Sequence, residues 1–167
     1  MTRTLLVIDI QADYFPGGAL PLWQAEETEA RIARAIGLAR AAGDRIILVR
    51  HVSATPTGLF GYDSPGIAIR PTVLASAGDV PVVTKQYADA FQATGLADHL
   101  TGSGMVLVCG MMTQNCVVFT ALSRATDGFK VQVIGDLCTA PSETVHRIAL
   151  NALASKTSVI MAQNIWE

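Results

Sequence analysis

Charged side chains are scarce in this 167-residue sequence: Asp, Glu, Lys and Arg make up 16% of it, against roughly 25% in an ordinary globular domain. Aromatic residues are thin as well, at 6%, while half of all residues are hydrophobic. Low charge with this apolar content excludes intrinsic disorder. The 12 Lys and Arg form no cluster and the formal net charge is -2, so no nucleic-acid partner is expected. No apolar run approaches the ~18 residues of a membrane helix, which sets a bilayer aside. An apolar h-region of ~7 or more residues does not fit ahead of Asp9, so no secretory leader is read. Cysteine is limited to Cys109, Cys116 and Cys138, an odd number with no CxxC pair. Reduced thiols in the cytoplasm are the expectation. The three histidines, His51, His99 and His146, lack metal-ligand spacing, and neither GxGxxG nor a Walker A motif occurs. No metal and no cofactor is therefore expected. So little charge also points to apolar surface covered by a second copy of the chain, as a homodimer or homotetramer.

What the sequence does contain is a rhythm. Short, continuous, β-branched apolar runs fall at residues 5–10, 46–52, 80–84, 105–110, 131–135 and 158–162. Unbroken runs of this kind predict strands buried on both faces of a parallel sheet. Helical patterns lie between them at 24–42, 115–126 and 142–155. The first carries Ile32, Ala35, Ile36 and Ala39 on one stripe and stops at Gly43. The last has Ser142 as N-cap and a stripe of Val145, Ile148, Ala149, Ala152 and Leu153. The alternation predicts one α/β domain over residues 1–167, a three-layer α/β/α Rossmann-like sandwich with a mainly parallel six-stranded sheet. Residues 53–79, with three Pro and four Gly and no clear period, read as a structureless lid, binding loop or subunit contact.

Ligands of open α/β sheets bind beyond the carboxyl ends of the strands. The first strand delivers Asp9, then Gln11 and Asp13. The third delivers Lys85, and the fourth delivers Gly110 through Cys116, with the cysteine opening a helix. Each residue has an ordinary reading on its own. Asp9 could cap a helix or bind a ribose, Lys85 could be a solvated lysine, and Cys116 could be a small buried apolar residue. Together an acid, an amine and a thiol reach one edge of the sheet. A thiol at a helix N-terminus beside a cation is expected to have a lowered pKa.

The stretches Val7-Ile8-Asp9-Ile10-Gln11-Ala12-Asp13-Tyr14-Phe15, Thr84-Lys85 and Gly110-Met111-Met112-Thr113-Gln114-Asn115-Cys116-Val117 resemble the isochorismatase-like cysteine hydrolases, which include nicotinamidases and other small-amide hydrolases. The resemblance runs on through Asp136-Leu137-Cys138 and covers nearly the whole chain. It implies a catalytic triad of Asp9, Lys85 and Cys116, and a cis peptide between Met111 and Met112. It further implies an oxyanion hole built from the backbone amides of Met112 and Cys116. The reaction so implied is hydrolysis of a C–N bond in a small-molecule amide through a thioester. Two other readings stay open: vinyl-ether hydrolysis of the isochorismate type, and a non-catalytic ligand-binding member of the fold. The three intact triad positions, Cys116 among them, favour C–N hydrolysis over both.

The sequence also departs from the family pattern. Nicotinamidases carry a metal-binding Asp-x-His pair after the second strand; here that stretch is Arg50-His51-Val52-Ser53. Nicotinamide is therefore not expected as substrate. Where relatives have Ser-Ala-Phe this chain has Asp89-Ala90-Phe91, whose acid either alters substrate preference or faces solvent. Gln11, Phe15, His51 and Phe91 are the expected substrate-binding side chains, with Trp23, Phe60 and Tyr62 in neighbouring loops. His146 lies off the stripe of its helix and is expected on the surface, while Cys109 and Cys138 are expected to pack in the core.

Overall fold

A computed structural model describes residues 2–166. Six strands form a single sheet: β1 (Arg3–Ile8), β2 (Arg45–His51), β3 (Val82–Lys85), β4 (Met105–Met111), β5 (Lys130–Thr139) and β6 (Ser158–Ile160). Their spatial order is β3-β2-β1-β4-β5-β6, and every pairing is parallel. The chain works outward from β1 to β3, returns to β4 and works outward again. The reversal lies between β1 and β4, where an open α/β sheet leaves a crevice at its carboxyl edge.

Helices α1 (Ala25–Ala41), α2 (Pro71–Ala77), α3 (Leu96–His99), α4 (Val118–Ala121), α5 (Glu143–Ala154) and α6 (Gln163–Trp166) flank the sheet. The stripe predicted for α1 is buried in full, and Gly43 follows that helix with φ +78. Ser142 caps α5 as expected, its Oγ accepting the Val145 N–H at 3.3 Å. The buried face of α5, however, is His146, Ala149 and Leu153, while Ile148 is 63% exposed. That set is itself an i, i+3, i+7 series. A polar first member hid it from an apolar pattern.

Two further expectations need correction. Residues 53–79 are not structureless. They hold a 3-10 turn at Pro65–Ile67 and the helix α2, which buries Val73 and Ala77. Pro71 at its first turn and Gly78 just past its end, with φ +72, are ordinary start and stop residues. Seven residues were too few to show a period. The helix expected at 115–126 is broken into a π-helical turn (Thr113–Val117), α4 and a 3-10 turn (Arg124–Thr126). Ser123 cuts it: its backbone is extended and its hydroxyl accepts the Ala125 N–H instead. Among the described residues, no helix is long and apolar enough to cross a membrane.

Gly110 lets β4 approach β1. Its φ is +124, and a Cβ there would lie 2.1 Å from the Ile8 carbonyl oxygen. Gly110→Ala is therefore expected to cost about 2 kcal/mol or more, measured by urea unfolding. Unchanged stability would contradict this packing.

Candidate active site

Asp9 leaves the end of β1 in the left-handed region, with φ +54. Such backbone costs on the order of 1–3 kcal/mol and persists only where its surroundings hold it. Here the Asp9 N–H bonds the Val49 carbonyl at 3.0 Å, and the carboxylate turns inward, fully buried. Lys85 closes β3 two strands away, and its side chain is fully buried too. Cys116 lies in the π-helical turn after β4, 2% exposed. The peptide joining Met111 to Met112 is cis.

These residues meet at one ammonium. Lys85 Nζ lies 2.9 Å from Asp9 Oδ2, 3.3 Å from Cys116 Sγ and 2.8 Å from His51 Nδ1. An ammonium has three N–H donors and no acceptor; His51 Nδ1 and Cys116 Sγ accept two of them. The Asp9 contact is an ion pair whose angles fall outside hydrogen-bond geometry, so neither carboxylate oxygen has an aligned donor. An oxygen so placed can still accept a proton.

The same convergence answers the metal question on physical grounds. Asp9, His51 and Cys116 each offer a ligand atom within 4.8 Å of the others. Those atoms converge because they share Lys85, whose positive charge already holds the place a cation would take. The residues present do not fit a resident metal.

Burial dominates the electrostatics. It raises the Asp9 pKa, opposed by the positive charge of Lys85. It also pushes the Cys116 thiol up to about 12, helped by the Asp9 charge and opposed by Lys85. The lowered thiol pKa expected from the sequence is thus reversed. The π turn and the four-residue α4 align too few peptide dipoles to offset desolvation. At neutral pH the resting nucleophile carries its proton.

The remaining expected residues divide. The Gln11 amide is fully buried and spent on backbone: Nε2 donates to the carbonyls of His51 at 2.8 Å and Ile67 at 2.9 Å, and Oε1 accepts the His51 N–H at 2.7 Å. It therefore holds His51 in place. Phe15 is buried with the Arg70 guanidinium 4.2 Å over its ring. Phe91 is half-buried, and its N–H bonds the Asp89 carboxylate at 2.9 Å, which accounts for that acid. Cys109 and Cys138 are buried free thiols, as expected.

Two residues at or near the site, Tyr14 and His146, were not legible. Tyr14 is buried, and that burial, with the Asp9 charge second, holds its hydroxyl neutral. Its ring meets Phe60 edge-on at 4.8 Å, and Phe60 in turn faces the His51 ring at 5.5 Å. His146, expected on the surface, is buried with Nδ1 2.8 Å from Thr113 Oγ1, in the turn that carries Cys116. The available signal was its place in the 146–149–153 series.

The sequence matches the Isochorismatase domain family over residues 3–164. The chain belongs to the isochorismatase family. It is 31% identical over 166 residues to the isochorismatase family protein YddQ of Bacillus subtilis, covering 92% of each chain. It is 32% identical over 149 residues to the maleamate amidohydrolase of Pseudomonas putida, covering 78% of this chain and 68% of that one. An isochorismatase family protein from Desulfovibrio vulgaris superposes with TM-score 0.89 at 25% identity, over 98% of this chain and 96% of the other. The fold and family expected from the sequence are borne out.

A thiol held near 12 predicts slow alkylation. At pH 8, Cys116 of the substrate-free protein is expected to react with iodoacetamide at least about 100-fold more slowly than free cysteine, because the thiolate is the reacting form. Mass spectrometry of the labelled peptide reads the rate. A rate equal to that of free cysteine would contradict the assignment.

Proposed function

We propose that the protein is a cysteine hydrolase that cleaves the C–N bond of a small amide through a thioester. The observation that carries this reading is the single buried ammonium of Lys85, 2.9 Å from the Asp9 carboxylate and 3.3 Å from the Cys116 sulfur. A base, a nucleophile and a fixed positive charge in contact are what such a reaction needs.

The raised thiol pKa sets the order of events. Cys116 cannot wait as a thiolate, so Asp9 takes its proton as Sγ attacks the amide carbon. Asp9 then passes that proton to the departing nitrogen, and the C–N bond breaks to leave the thioester. In the second half Asp9 removes a proton from water, the resulting hydroxide attacks the thioester, and the proton returns to sulfur as the acid leaves. Lys85 stabilises whichever partner is anionic at each stage. The amides of Met112 and Cys116 are assigned to the developing oxyanion. The maleamate amidohydrolase among the relatives supports C–N hydrolysis over the other chemistries of the fold. Exposed Phe119 and Ile148 support a dimer or tetramer, which light scattering in solution reads directly.

Cys116→Ala and Asp9→Asn are each expected to lower ammonia release from a carboxamide panel by about 10³-fold or more. Rapid quench followed by intact-mass measurement should capture the acylated wild-type chain. Turnover that survives Cys116→Ala would sink the thioester route.

A further inference from the structure

His51 ends β2 in register with Lys85 on β3, so the two side chains leave the same face of the sheet. An ammonium only donates hydrogen bonds, so the Nδ1 atom 2.8 Å from Nζ accepts. In a neutral imidazole the single ring proton then sits on Nε2. Burial, with the Lys85 charge second, holds the ring neutral and pushes its pKa down to about 4. Gln11 fixes the His51 backbone at both N–H and carbonyl, and Phe60 lies along the ring at 5.5 Å. The Nε2–H has no hydrogen-bond partner among the described residues. The ring is only partly buried, and one of its nitrogens lies within 4.8 Å of Cys116 Sγ. A donor locked in one tautomer and unused, on a ring that reaches the nucleophile, is built to meet an acceptor.

We infer that His51 is the specificity-determining residue of this site, its Nε2–H receiving a second hydrogen-bond acceptor on the substrate. The preferred substrates are then small amides that carry another carbonyl or carboxylate oxygen. The inference rests on the amide hydrolysis proposed above. An amide without that oxygen leaves a desolvated N–H unpaired and is penalised for it. Because the same ring holds Lys85 at Nδ1, substrate recognition and the placing of the ammonium pass through one residue.

The test measures ammonia release from succinamide, succinamate and butyramide, which share a chain length and present a neutral acceptor, an anionic acceptor and none. The wild type is expected to favour at least one of the first two over butyramide by about 10- to 100-fold in kcat/KM. Which one it favours distinguishes a carbonyl from a carboxylate. In His51→Phe the preference should fall to about threefold or less. His51→Asn, with a carbonyl for Lys85 and an NH2 for the substrate, should retain most of it. Equal rates on all three amides, release from none of them, or a preference unchanged in His51→Phe would each overturn the inference. Independently of turnover, the histidine 15N NMR correlation should show the Nε2–H tautomer in the wild type, and an Nδ1–H tautomer would overturn it. Release that survives Cys116→Ala would instead remove the thioester chemistry, leaving the tautomer and the preference standing.

Discussion

A lysine and an aspartate with fully buried side chains, 2.9 Å apart, set the terms for the rest of this molecule. Taking either ion out of water costs several kcal/mol even after relaxation, and the ion pair alone gives the donors of the ammonium no aligned acceptor. His51 and Cys116 accept two of them. The cluster is thus electrically closed: one positive charge, one carboxylate, a neutral imidazole and a protonated thiol. Removing any member leaves a buried charge or donor without a partner. Placing three groups within reach of one lysine nitrogen requires three strands and a turn to end in register.

The sheet order meets that requirement. β1, β2 and β3 are consecutive neighbours, so Asp9, His51 and Lys85 arrive side by side along one edge. Cys116 comes from the other side of the switch point, on the turn after β4. The close approach of β4 to β1 depends on Gly110, which no larger residue can replace without meeting the Ile8 backbone. Two polar ties then steady the loops around the cluster: Gln11 holds the end of β2, and Thr113 of the cysteine-bearing turn meets His146. Asp13 bonds the Phe60 N–H at 2.7 Å, which fixes the aromatic ring that faces His51. Buried polar groups far from bulk water do structural and chemical service together here. That is also why the thiol is hard to ionise. The burial that sharpens every charge interaction penalises the thiolate, so activation has to come from Asp9 during the reaction.

Much of this was legible beforehand. Parallel strands advertise themselves as unbroken apolar runs, and all six runs became strands, although the edge strands β3 and β6 are not buried on both faces as expected. Asp9, Lys85 and Cys116 stood out because acids, amines and thiols are rare at strand ends in so weakly charged a chain. The pairing of His51 with Lys85 was not legible, because it depends on the register between β2 and β3 rather than on either sequence. His146 was hidden for a related reason: which face of α5 is buried is decided by the turn it packs on. The sign of the Cys116 shift was missed because local pattern shows a neighbouring cation but not the depth of burial. Helix α2 was missed because seven residues make two turns and no period.

The account turns on Lys85 holding the Asp9 carboxylate against the pull of burial. The direct test is a 13C titration of the Asp9 carboxyl in the wild type and in Lys85→Met. Lys85 lowers the proton affinity of Asp9 while burial raises it. Its removal should therefore move the Asp9 midpoint further upward, by about one pH unit or more. A midpoint that stays where it is would mean that the ammonium does not control the acid, and the proposed proton path would fall with it.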